Sequence, residues 1–115
     1  MVMRKISTFL AIFTLMMFTT VWAANVEKGK ALFNDPNFGG GTAGKSCNSC
    51  HPNGKGLEKA GKKKEFSIMG QKQKGLEEAV NFCIVNAMKG KAIDPKSEDM
   101  ANIVAYIKSL KAKKK

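Results

Sequence analysis

The stretch Cys47-Asn48-Ser49-Cys50-His51 constrains this chain more than any other, because it holds two of the three cysteines and the only histidine. Two thiols at C-x-x-C spacing can form thioether bonds to the vinyl groups of a porphyrin, and the histidine that follows can then give its imidazole to the iron. The motif predicts one covalently attached haem c, with Cys47 and Cys50 as the attachment residues and His51 as the proximal axial ligand. Competing chemistries are weighed by counting donors. A structural zinc site needs four ligands near a tetrahedron, and Cys50 and His51 are adjacent and awkward to use together. A cysteine-ligated iron–sulfur cluster needs four cysteines, one more than the chain has. A thioredoxin-type pair or a disulfide gives no role to His51, and no βαβ pattern surrounds the motif.

The first 23 residues read as a secretory signal. Arg4 and Lys5 form a positive start, 6–21 is apolar and free of charge, and Val21-Trp22-Ala23 places small residues at −3 and −1 of a cleavage site before Ala24. The apolar run is short for a span and is broken by serine and threonine, so export with cleavage is expected and no membrane span remains afterwards. Residues 24–115 then form one small domain with a basic tail over 111–115. Its polypeptide core is thin, and a buried haem supplies the missing apolar bulk. Export combined with haem attachment points to the bacterial periplasm.

The chain has 20 Lys and Arg against nine Asp and Glu, and loss of Arg4 and Lys5 leaves a net charge of +9. So basic a surface favours acidic redox partners. Nucleic acid is not expected: no binding motif appears, and the aromatics show no stacking pattern interleaved with the lysines. The glycine run Gly39-Gly40-Gly41 lacks the G-K-[ST] ending of a phosphate loop. The tail Lys111-Ala112-Lys113-Lys114-Lys115 reads as solvated.

Helices are expected at three places. Asn25 is an N-cap for a helix from Val26 to about Asn34, in which Gly29 costs stability unless another backbone comes close. Asp35-Pro36 stops it. Leu76, Val80, Cys83 and Ala87 recur at i, i+4, i+7 and i+11, one helical face with Cys83 turned inward. Gly90 and Asp94-Pro95 end that pattern, and Ser97 opens a last helix with a core stripe of Met100, Ile103, Val104, Ile107 and Leu110. A short apolar patch from Phe66 to Met69 can cover a haem edge. No β alternation of useful length appears, so the fold is expected to be all-α.

These residues resemble the monohaem class I cytochromes c. The resemblance spans nearly the whole of 24–115, from Gly29-Lys30-Ala31-Leu32-Phe33 through the haem motif to Ala105-Tyr106-Ile107-Lys108-Ser109-Leu110. It implies the small class I cytochrome c fold, in which first and last helices cross closely with a small residue and aromatics at the contact, roles matched by Gly29, Phe33 and Tyr106. A narrower likeness joins Val80-Asn81-Phe82-Cys83, Met88-Lys89-Gly90 and Ser97-Glu98-Asp99-Met100 to haem domains of thiosulfate dehydrogenases and related sulfur-oxidising cytochromes. Those domains can place a cysteine on iron where Cys83 stands. Here there is one haem motif instead of two, and the segment between motif and cysteine is shorter.

The resemblance offers several distal ligands. Met88 lies before the last helix, about where class I cytochromes present their methionine, and is the preferred candidate. Cys83 is the first alternative and requires its thiolate. Met100 falls within the last core stripe, where packing explains it, and Met69 sits in a less defined stretch. His/Met ligation raises the reduction potential, whereas a thiolate donates electron density to the iron. The expected function is single-electron transfer between redox partners, without catalysis. The alternative is a haem subunit or enzyme of sulfur-compound oxidation with Cys83 on the iron. A haem-based sensor is favoured only if the sixth position is vacant.

Overall fold

The computed structural model describes residues 24–110; the signal expected over 1–23 and the tail 111–115 lie outside the described residues. Helix α1, Val26–Phe33, starts where Asn25 predicts, since the Asn25 side chain accepts a hydrogen bond from the Lys28 backbone N–H and satisfies a donor that a helix leaves open at its first turn. Helix α2 is the single turn Cys47–Cys50, and helix α3 is Leu76–Asn86. Helix α4, Glu98–Ser109, is capped by Ser97, whose hydroxyl accepts from Met100 N–H, and carries Glu98 and Asp99 in its first turn, where negative charge complements the macrodipole.

Helices α1 and α4 pack directly on each other. At the crossing, a Cβ on Gly29 would collide with the Asn102 carbonyl oxygen and lie 2.8 Å from Tyr106 Cβ, so the absence of a side chain is what lets the backbones meet. Beside it Phe33 and Tyr106 meet edge to face, with ring centroids 5.1 Å apart, an arrangement the ring quadrupoles favour. The buried Asn102 side chain accepts the Asn25 N–H at 2.8 Å and ties the start of α1 to the middle of α4. Phe33, Ile84, Met88, Met100 and Ile103 form the solvent-free centre of the core.

The expectation of an all-α fold holds in part. Strands β1, Glu65–Ile68, and β2, Gln71–Lys74, pair antiparallel with Phe66 opposite Gln73 and Ser67 opposite Lys72. The described residues are therefore mainly helical with one β-hairpin, and not all-α. The hairpin escapes periodicity because each strand is four residues long: β1 buries only Phe66 and half-buries Ile68, and β2 is Gln-Lys-Gln-Lys with no apolar residue. Its two-residue turn has positive φ at both Met69 (52°) and Gly70 (76°), the type I′ geometry usually signalled by Asn-Gly.

Two loops position the segment after α3. The Thr42 and Ala43 N–H groups both donate to the Met88 carbonyl, at 2.9 and 3.0 Å, and Lys91 N–H donates to the Gly39 carbonyl at 2.8 Å. Asn81 on α3 makes paired bonds to the Ile93 N–H and carbonyl, each 2.9 Å. The glycine run thus serves as a clamp on the segment carrying Met88. Among the described residues no helix is long and apolar enough to cross a membrane.

The α1–α4 contact is tested by Gly29→Ala. Helix propensity alone would favour alanine by about 1 kcal/mol, but overpacking against a backbone carbonyl costs about 1–3 kcal/mol and cannot be relieved by a rotamer. Net destabilisation is expected, read as a lower denaturant midpoint of the haem-loaded protein.

Candidate functional site

The motif, α3 and the hairpin converge on one cavity of about 390 Å³, within the range of cofactor sites. Cys47, Cys50 and His51 line it from α2, Phe66, Ile68 and Met69 from the hairpin, and Met88 from beyond α3. The whole predicted face of α3, Leu76, Val80, Cys83 and Ala87, also opens onto it. Lining residues other than the cysteines and His51 include no ionisable side chain, and Ser46 and Ser67 are the other polar ones. Met100 is not part of the wall; it is 1% exposed within the packing of α4. Met69 reaches the rim while remaining 74% exposed.

Helix α2 is held by a capping box in which Ser46 N–H donates to Ser49 Oγ at 3.0 Å, and the His51 N–H donates to the Cys47 carbonyl at 2.9 Å. The turn Pro52–Gly54 then brings the chain back to the imidazole. His51 Nδ1 lies 3.0 Å from the Lys55 carbonyl oxygen; a carbonyl only accepts, so Nδ1 carries the proton and Nε2 keeps its lone pair for a metal. The same peptide unit continues outward, because the Gly56 N–H donates to Glu58 Oε2 at 3.0 Å. Backbone N–H groups of Glu58 and Gly56 hold the exposed Glu58 carboxyl below its ordinary value near 4.5. Neither the Lys55 carbonyl nor Glu58 was expected from sequence: a main-chain acceptor has no residue signature, and only the nearby Gly54 and Gly56 mark the turn.

The thiols share an apolar environment. Burial, with Cys83 nearby, pushes the Cys47 thiol up to about 11. Burial, with Cys50 nearby, also raises Cys83, because the thiolate is the poorly solvated form. Among the described residues no three His, Cys, Asp or Glu side chains gather as a metal-binding group, so the cysteines do not assemble a zinc-type set. The residues fit a haem: an apolar slot, two thiols at attachment spacing, an imidazole with Nε2 available, and a thioether and a thiol as further donors.

The family model of the SoxA/TsdA cytochrome c domain matches residues 28–114. The chain belongs to this family. As a SoxA/TsdA-type cytochrome c domain it carries covalently bound haem c and serves haem-based electron transfer, and it is a monohaem class I cytochrome c similar to sulfur-oxidising cytochromes. Its fold is similar to the crystal structure of SoxXA from P. pantotrophus, with a TM-score of 0.54 and 23% identity, covering 71% of this chain. The chain spans 30% of that SoxXA chain. No curated protein matches it.

The raised Cys83 thiol makes a reactivity prediction for this cytochrome. In the haem-loaded protein at pH 7.5, iodoacetamide should modify Cys83 at least ~10-fold more slowly than free cysteine, the thiolate being the reacting form. The rate should climb as pH rises above 9; mass spectrometry over time measures it.

Proposed function

We propose that this protein is an exported, periplasmic electron carrier in which Cys47 and Cys50 hold the haem and His51 ligates the iron. The observation that carries the reading is one apolar cavity that takes in both motif thiols and the imidazole, with no carboxylate or amine among its lining residues. Such a lining is apolar and offers no acid–base constellation for transforming a substrate. When bound, haem supplies one-electron ferric/ferrous chemistry. The chain's own residues orient and tune it. The Lys55 carbonyl fixes the His51 tautomer, and Thr42 and Ala43 fix the backbone of Met88, the preferred distal ligand.

A second reading is a haem subunit or enzyme of sulfur-compound oxidation with Cys83 on the iron. It is supported by Cys83 lining the same cavity and by membership of the SoxA/TsdA family. The structure of SoxXA adds no partner assignment to this chain. Coordination by Cys83 requires loss of its proton against the burial that raises its pKa, which only a neighbouring cation offsets.

Optical and electron paramagnetic resonance spectra of the exported, oxidised protein test both. A methionine–iron charge-transfer band, lost in Met88→Ala with haem retained, is the expected result; a low-spin thiolate signature, lost in Cys83→Ala, transfers the assignment to the second reading. Cys47→Ala with Cys50→Ala should abolish covalent haem and leave a poorly folded chain. A folded, haem-free double variant would remove the attachment proposal.

Glu58 gives a pH prediction. Its carboxylate strengthens the Lys55 carbonyl as an acceptor through the shared peptide, making His51 a stronger donor and favouring the ferric state. Its folded pKa is depressed, so this influence is present above the ordinary carboxylate pKa and is lost as pH falls through the folded value, below 4.5. The wild-type potential should therefore rise in that acid window. Glu58→Gln should be flat there and higher at neutral pH, as read by spectroelectrochemical titration.

A further inference from the structure

The positive charge is not spread evenly. Residues 55–74 carry seven lysines and two glutamates, while the rest of 24–110 carries seven lysines and seven acidic residues. The entire excess of the described chain therefore sits on one segment. That segment is also a wall of the cavity, through Leu57, Ala60, Phe66, Ile68 and Met69, and all seven of its lysines are exposed. Both glutamates are engaged, Glu65 with Lys72 at 3.1 Å and Glu58 with the Gly56 N–H. Lys63 stands 5.3 Å from the Phe66 ring centroid, so a cation lies directly over an aromatic that lines the site.

The tip of the hairpin adds a second, independent observation. Met69 is 74% exposed, against 42% for Val85 and 39% for Val26, the other exposed large apolar residues described. It also has φ 52° in the type I′ turn, where Asn, Asp or Gly fits with less steric cost. A bulky apolar side chain is rarely held in the left-handed region. At the rim of the cavity, on the lysine-rich segment, it has the makeup of an apolar contact accompanied by steering charge.

We infer that the hairpin Glu65–Lys74, with the lysine-rich turn before it, is the docking face for an acidic redox protein, with Met69 as the apolar contact beside the haem. The inference rests on the electron-carrier reading and adds where, and by what chemistry, the partner binds. Lysines on this face accelerate encounter with an acidic surface in a salt-dependent way.

The test is stopped-flow reduction of the haem-loaded protein by the hydroquinone of an acidic flavodoxin. One electron leaves the anionic flavin hydroquinone, which becomes the neutral semiquinone, and ferric iron becomes ferrous; no bond forms or breaks. Photoreduced lumiflavin, small and without an acidic protein surface, is the reference reductant. Lys62→Glu, Lys64→Glu and Lys74→Glu together should slow the flavodoxin reaction about 10-fold at low salt and remove most of its salt dependence. Lys30→Glu, Lys91→Glu and Lys96→Glu together make the same change in net charge and should act less than about 2-fold. Met69→Asn keeps the turn chemistry and should lower the flavodoxin rate about 3-fold or more relative to the lumiflavin rate of the same variant. Equal slowing by the two lysine triplets, or a Met69→Asn rate equal to wild type with flavodoxin, overturns the docking face. Wild-type protein that lumiflavin fails to reduce removes the electron-carrier reading and the inference with it.

Discussion

The close crossing of α1 and α4 is the contact on which the remaining architecture depends. It exists because Gly29 presents no side chain to the Asn102 carbonyl, and it is locked by the Phe33–Tyr106 ring pair and by Asn102 accepting the Asn25 N–H. Once α4 is fixed, other parts of its length position the motif. Gly61 packs against Lys108, and Gly54 against Leu110 at the end of the helix, so the loop after His51 is held to α4 at two points. That loop returns the Lys55 carbonyl to the imidazole. The same two helices reach the cavity itself, which Phe33 of α1 and Ile107 of α4 help to line.

The cavity explains why such a domain needs its cofactor. The face of α3 that lines it presents Leu76, Val80, Cys83 and Ala87, apolar surface that a bound haem would cover. The hairpin is in the same position, since a two-stranded sheet is marginal alone and turns Phe66 and Ile68 toward the cavity. Haem is thus part of the hydrophobic core as well as the redox centre.

How much of this was legible depends on the kind of signal each feature carries. Caps are local chemistry, so Asn25 and Ser97 marked helix starts that the structure reproduces. The face containing Cys83 spans three turns, long enough for periodicity to stand out, and the small residue Gly29 could be tied to a close approach. The hairpin was missed because four-residue strands give too few alternations, and its turn uses Met-Gly. The Phe66–Met69 patch was read as cover for the site, and it does line the cavity, but its strand geometry and Met69's exposure depend on β2, which has no apolar pattern. The Lys55 carbonyl and Glu58 were invisible for a different reason: their role comes from one peptide unit, and any residue can supply a carbonyl.

In the proposed arrangement the two sides of the iron site place opposing demands on charge. On the proximal side, the chain from Nδ1–H through the Lys55 carbonyl to the Glu58 carboxylate adds electron density to the imidazole. On the distal side, burial raises the Cys83 thiol, whereas the Met88 thioether has no proton to lose and its backbone is clamped by two N–H groups. A neutral thioether opposite an electron-rich imidazole needs no counter-charge from a lining without ionisable groups beyond the cysteines and His51. A thiolate would add a second donor where nothing but iron can balance it. Reach alone does not separate the two candidates, because the fold brings both Cys83 and Met88 to the same cavity.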